Sequence, residues 1–261
     1  MARFNVQHLA TPRWIGAVVV AVILIVGFVS LGSWQLARHE ERRALNATVE
    51  TRRDEPVRPF EGLVGQYGMD PEALVHRTAV VEGVYLPDAE VFSIGRTYDD
   101  VRGTLVATPL QLDDGGLLMV VRGVVPTDTE GPPADGYRPP TGRVVVAGLL
   151  DDGEEPLRIG EPDPEGGVVR SLSRLDLAYI NRWTTAEVLP VSLVLREQQP
   201  ANPEGSPVAI PEETLSEGRH LGYALQWFSF AAIVVVGVGV LLWRAGSHVN
   251  AETDQVQSTP L

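Results

Sequence analysis

The sequence predicts a membrane protein of the α+β class, with two transmembrane helices flanking a β-rich domain built as an antiparallel sheet or a barrel. Three observations predict it. Residues 14–36 carry no charge, and neither do residues 221–243; roughly 20 apolar residues rising 1.5 Å each cross a hydrocarbon core. Between them lie six short β-branched runs separated by Gly, Pro and Asp clusters, the punctuation of strands and turns. A composition of 44% hydrophobic and 21% charged residues fits one globular domain plus membrane segments rather than a disordered chain.

The elements follow in order. Residues 1–13 form a short leader holding Arg3 and Arg13. The apolar run after it is longer than a secretory signal core and meets no small-residue cleavage pattern, so 14–36 reads as a retained first span. "RHEERRALNATVETR", residues 38–52, continues it as a polar helix. The domain, residues 37–219, holds strand segments at 77–86, 90–98, 103–112, 117–125, 143–150 and 189–197, with a helix over 173–183. Two acidic doublets, "LDDGG" from Leu112 and "LDDGEE" from Leu150, lack the alternate-position ligands of a calcium loop and read as Asp-Gly hairpin turns. The proline-rich stretches 126–142 and 198–213 read as an exposed loop and a tether. The second span, 220–243, stops at Trp243 and Arg244, an interfacial aromatic and a cation. Residues 244–261 read as a disordered tail.

Charge and missing residues exclude several functions. Residues 37–219 hold 18 basic and 32 acidic residues, a net of −14, so nucleic acid and anionic lipid are repelled. All 21 basic residues are arginine and there is no cysteine, which removes thiolate and Schiff-base nucleophiles. No G-x-S-x-G elbow is present. The histidines His8, His39, His76, His220 and His248 show no zinc-site spacing. "GVGV" at 237–240 lies inside the second span, where helix packing is the better reading than phosphate binding. An enzyme is not expected.

Polar and aromatic groups gather at one end of each span. A helix starting near His220 puts His220, Tyr223, Ala224 and Trp227 on one face by i, i+3, i+4, i+7 spacing. Trp34, Gln35 and Arg38 end the first span at the same depth. Spacing alone leaves two accounts open: an interfacial belt of wet residues, or a pocket facing a partner helix or ligand. Aromatic faces, an imidazole and a guanidinium suit a flat, apolar molecule with acidic tails, of which haem is one.

Three motifs carry a resemblance: "LGSWQLARHEER" after the first span, "TPLQLDDGGLLMVVRGVVP" in mid-domain, and "HLGYALQWFSFA" opening the second span. In this order they resemble the surfeit locus protein 1 (Surf/Shy) family of cytochrome c oxidase assembly factors. Val121 and Val124 flank Arg122 and Gly123 where many members carry Asn and Trp.

The resemblance implies an assembly factor of the respiratory chain's haem a-containing cytochrome c oxidase, in the cell membrane. Both termini would be cytoplasmic and the central domain extracytoplasmic, an orientation the arginine count leaves open. It implies that haem a is bound transiently and delivered to the oxidase catalytic subunit, with haem a biosynthesis enzymes as further partners. His220 matches the family's iron ligand. Tyr223 and Trp227 would stack on or edge the macrocycle, Trp34 and Gln35 would line the pocket, and Arg38 or Arg219 would meet a propionate. His39 is next in line as ligand by depth. The rival reading is a cofactor-free scaffold for an oxidase assembly intermediate. A membrane sensor is disfavoured, because ends of about 13 and 18 residues are too short for a signalling module.

Overall fold

A run as rich in Val and Ile as residues 17–26 favours strand in water, but a single segment in lipid must satisfy its own backbone and therefore coils into a helix. The computed structural model describes residues 11–98, 101–153, 170–203, 205–212 and 214–257, with backbone alone for 95–98, 101–102 and 246–257. The chain divides into two compact units, Met1–Ala47 with Leu215–Leu261, and Thr48–Thr214.

The first unit is a helix pair. Helix α1 (Pro12–Arg53) and helix α5 (His220–Gln257) are both long and apolar enough to cross a membrane, α5 over His220–Ala245. On α1 the buried and half-buried positions between residues 20 and 40 are Ala21, Ile25, Phe28, Gly32, Gln35 and His39. On α5 they include His220, Ala224, Trp227, Ala231, Val234 and Val238. Both sets step by four and three residues, the spacing of a coiled-coil seam. Most other apolar side chains of the spans are exposed, as lipid-facing side chains would be. Beyond Ala245, where the sequence reading placed a disordered tail from 244, the helix runs on to Gln257. Residues 251–257 are "AETDQVQ", with neither Gly nor Pro to stop it.

The second unit is built on a closed ring of five strands. β2 (Thr78–Tyr85) lies antiparallel to β6 (Arg143–Asp152), and β6 antiparallel to β8 (Val188–Gln199). β8 runs parallel to β5 (Leu117–Val125), and β5 antiparallel to β4 (Val101–Gln111). β4 returns to β2 through Val84 opposite Gln111 and Tyr85 opposite Leu110. Numbered by chain order, the ring reads first, second, third, fifth, fourth, which is the Greek-key connectivity of an OB-type barrel. A Cβ on Gly83 would stand 2.5 Å from the Gln111 carbonyl oxygen, so the closing contact requires glycine. β3 (Val91–Tyr98) extends the sheet beside β4, two-residue β7 (Ser171–Leu172) pairs with β3, and two-residue β1 (Arg58–Pro59) with β2.

β5 is buried on both faces, and its alternation divides two cores. Leu118 and Val120 join Val81, Leu110, Val146 and Leu193 in one cluster, packed by Phe60 and Leu63 of helix α2 (Phe60–Tyr67) and Leu74 of helix α3 (Pro71–Leu74). Leu117, Met119 and Val121 join Leu105, Leu172 and Ile180 in the other. Helix α4 (Leu177–Ile180) belongs to this second core and is capped by the Asp176 carboxylate, which accepts from Tyr179 N–H at 2.8 Å. It realises only the middle of the helix expected over 173–183.

Each of the six expected strand segments carries a strand. The first acidic doublet turns the β4–β5 hairpin: Gly116 N–H donates to Asp114 at 2.9 Å, and Arg143 clasps the Asp113 carboxylate at 2.6 and 2.9 Å. Those two hydrogen bonds and the guanidinium charge hold the Asp113 carboxyl below its ordinary range. Among the described residues the second doublet is strand rather than turn. Asp151 and Asp152 are strand residues of β6, whose neighbours are β2 and β8, while Glu154 and Glu155 lie outside the described residues.

The proline-rich stretches are pinned to the barrel rather than loose. Glu90 and Arg122 have fully buried side chains and pair at 3.2 Å. Glu90 also accepts from the Thr108 hydroxyl at 2.6 Å and from Ala134 N–H at 2.7 Å. Arg122 donates to the Tyr137 carbonyl at 2.5 Å and to Asn202 at 3.3 Å. One buried ion pair thereby fixes both segments, because a buried charge must find partners. The second segment is stitched further: Val124 and Val208 exchange two 2.8 Å backbone hydrogen bonds, and Arg196 donates to the Ile210 carbonyl at 2.8 Å. Gly123, at φ 135°, lets Val208 approach.

Candidate functional site

The seam of the helix pair carries its polar groups at one end. Gln35 stands two turns beyond Phe28 on α1, and His220 two turns before Trp227 on α5. The His220 Nδ1–H donates to Gln35 Oε1 at 2.8 Å. An amide oxygen can only accept, so Nδ1 carries the proton, and Nε2 is the nitrogen that a neutral ring offers as a ligand. Gly218, at φ 72°, lies beside that nitrogen; a Cβ there would stand 3.2 Å from Nε2. The missing side chain leaves the approach to Nε2 open.

Below the imidazole the seam is aromatic. Phe28 stacks on Trp227 at 5.8 Å between centroids, and Phe230 packs against both rings at 5.7 and 5.8 Å. Gly32 opposes Phe228, which would sit 2.7 Å from a Cβ at that position. Above the imidazole, His39 lies one turn past Gln35, its side chain 13% exposed and its Nε2 3.7 Å from Glu217. His39 Nδ1 is buried and accepts or donates no hydrogen bond.

Of the residues singled out in the sequence, the fold brings Gln35 and His220 into direct contact and puts Trp227 on the same seam. Trp34 and Tyr223 face away from it, 53% and 48% exposed. Arg38 is exposed and pairs with Glu41 at 2.7 Å, and Arg219 is exposed just before α5. Gly237 and Gly239 have nothing within 4 Å of a built Cβ, so it is Gly32, not the "GVGV" run, that permits close packing. Phe28, Gly32 and Glu217 went unread in the sequence. The four-three spacing back from Gln35 through Gly32 and Phe28 was the available signal.

The second unit holds a cavity of about 430 Å³ on the outer face of its sheet, lined among others by Arg53, His76, Ser93, Asp151, Arg196 and Glu212. Ser93 Oγ is buried without a hydrogen bond. Two guanidinium groups, Arg53 and Arg196, and three carboxylates, Asp151, Asp152 and Glu212, line it together. Among the described residues no group of three His, Asp or Glu side chains could hold a metal ion by itself.

Comparison with known proteins places these residues in a family context. A model of the SURF1 family matches residues 22–232. Uncharacterised SURF1-like proteins of Mycobacterium bovis and Mycobacterium tuberculosis are 26% identical over 259 residues, covering 98% of this chain and 92% of theirs. A SURF1-like protein of Monosiga brevicollis is 26% identical over 234 residues, 84% of each chain. The family match takes in most of α1, the ring, the opening of α5 and the Gln35–His220 contact.

Proposed function

The chain belongs to the SURF1 family, and from that membership we propose that it is a cell-membrane assembly factor for haem a-containing cytochrome c oxidase. Both termini are cytoplasmic in this reading and the barrel domain is extracytoplasmic. Haem a is its cargo, held at the polar end of the helix pair and passed to the oxidase catalytic subunit, with haem a biosynthesis enzymes upstream. The protein makes and breaks no covalent bond of its own.

One observation carries the proposal. His220 Nδ1 is tied to Gln35 across the seam, while Nε2 lies beside the side-chain-free Gly218. A metal-ligating histidine ordinarily has its second nitrogen fixed in this way, which sets tautomer and ring orientation. Iron in haem accepts an imidazole axially. Gln35 therefore orients the ligand, Gly218 leaves room for the cargo, and the half-buried Trp227 supplies an aromatic wall. Arg38, whose exposed bond to Glu41 is readily exchanged, and Arg219 lie at the same end for the propionates. Trp34 and Tyr223, exposed at that level, edge the macrocycle or meet the oxidase. A carrier must also release, and a single imidazole competes poorly with a preformed oxidase site.

The test is the visible spectrum of the full-length protein purified from membranes that make haem a. Wild type should carry haem a, and His220→Ala should lose it. Gln35→Leu should retain it with roughly 10–100-fold weaker affinity. An unchanged spectrum in His220→Ala would refute the assignment. The second reading, a cofactor-free scaffold, draws on the Phe28–Trp227–Phe230 cluster, which already fills the seam beneath His220. A haem-free wild type would favour it.

A further inference from the structure

We infer that His39 is a second imidazole of the same site, so that the cargo's iron is held between histidines from two different helices. The inference rests on the reading that the helix pair carries haem a.

Three observations lead to it. His39 belongs to the seam rather than to the polar surface. It continues the run Phe28, Gly32, Gln35 at four-three spacing, and it is half-buried while its neighbours Arg38 and Glu40 are exposed. One of its ring nitrogens also lacks the partner that burial calls for. Nδ1 is sealed from solvent with no hydrogen bond, and Nε2 stands 3.7 Å from Glu217, beyond hydrogen-bond reach. Leaving a buried imidazole nitrogen unmet is costly and asks for an explanation. Finally, His39 lies one helical turn, about 6 Å along α1, from Gln35, and Gln35 is the residue whose side chain holds His220. Two imidazoles at neighbouring levels, one from each helix, are the donor set that saturates both axial positions of a haem.

This arrangement assigns a release step to the chain. With one ligand on α1 and the other on α5, parting the helices at their polar end breaks one of the two iron bonds and leaves the haem on a single imidazole. Each nitrogen departs with its own lone pair, so no electron is transferred and no oxidant is required.

The test uses the full-length protein loaded with haem a in detergent, read by electron paramagnetic resonance and optical spectra. Wild type should be low-spin with two nitrogen ligands. His39→Ala should keep its haem but turn high-spin, and added imidazole should restore the low-spin signal; that rescue separates a lost ligand from a damaged fold. His220→Ala should lose haem outright. A wild type that is high-spin, or a His39→Ala protein that stays low-spin without imidazole, overturns the inference and leaves the carrier reading standing. A wild type with no haem overturns both.

Discussion

Replacing Arg122 with methionine should be the most damaging single change in the barrel domain. Arg122→Met keeps side-chain bulk but strands the Glu90 carboxylate, whose side chain is fully buried. Its remaining partners would be the Thr108 hydroxyl and the Ala134 amide. Removing one member of a buried pair costs about 3–5 kcal/mol, because the other charge stays desolvated. The Tyr137 carbonyl also loses its 2.5 Å donor, adding about 1 kcal/mol. A domain of this size has about 5–15 kcal/mol in all, so the loss is a large fraction. The same reasoning says that Glu90→Gln with Arg122→Met should recover most of it, since the amide keeps Thr108 and Ala134 in reach without a charge. Guanidinium titration by near-ultraviolet circular dichroism of the detergent-solubilised wild type, the two single variants Arg122→Met and Glu90→Gln, and the double variant gives the four stabilities needed. A coupling energy near zero, with the double variant as weak as the sum of the singles, would show that the pair is not electrostatically linked and would sink the argument.

Two further predictions concern different parts of the molecule. Burial pushes the Tyr85 phenol well above its ordinary range, with Arg122 opposing the shift; the unfolded phenol ionises above about pH 10 while the folded one stays protonated, so the unfolded state binds fewer protons and stability falls by about 1.4 kcal/mol per pH unit there. Tyr85→Phe should flatten that alkaline slope in stability measured between pH 9 and 11 on the ordinary phenol scale of about 10, and an unchanged slope would exonerate Tyr85. Gly32→Val should wedge the helix pair against Phe228 and destabilise it by about 1–3 kcal/mol, with Phe228→Ala restoring the thermal midpoint; equal midpoints for wild type and Gly32→Val would mean the seam is not close-packed.

The sequence made the spans and strands legible because each has a local signature: an uninterrupted apolar run, or a β-branched run bounded by turn residues. Ring closure was not legible, since β2 meets β4 through only two residue pairs and no local pattern announces a long-range pairing. The second acidic doublet misled for the same reason. Asp151 and Asp152 look like turn chemistry, but a strand continues through them because β8 pairs with both. At the candidate site, Gln35 and His220 were each read from depth, whereas their contact depends on which faces the two helices turn toward one another. Tyr223 and Trp227 show the limit of spacing arguments, because i+3 and i+7 share a broad face with His220 while the seam takes only the narrower i+4, i+7 stripe. Glu90 gave no warning at all, being one acid among 34.

Threading a parallel neighbour into the ring sets a timetable for biosynthesis. β5 ends at Val125, yet one of its two flanks is supplied by β8, which begins at Val188. A nascent chain therefore cannot shut its barrel until some sixty more residues have left the ribosome, and meanwhile Leu118, Val120 and their neighbours stand open to mispairing. The last strand to emerge is the keystone, and truncation before Val188 would leave an unsealed shell rather than a smaller domain.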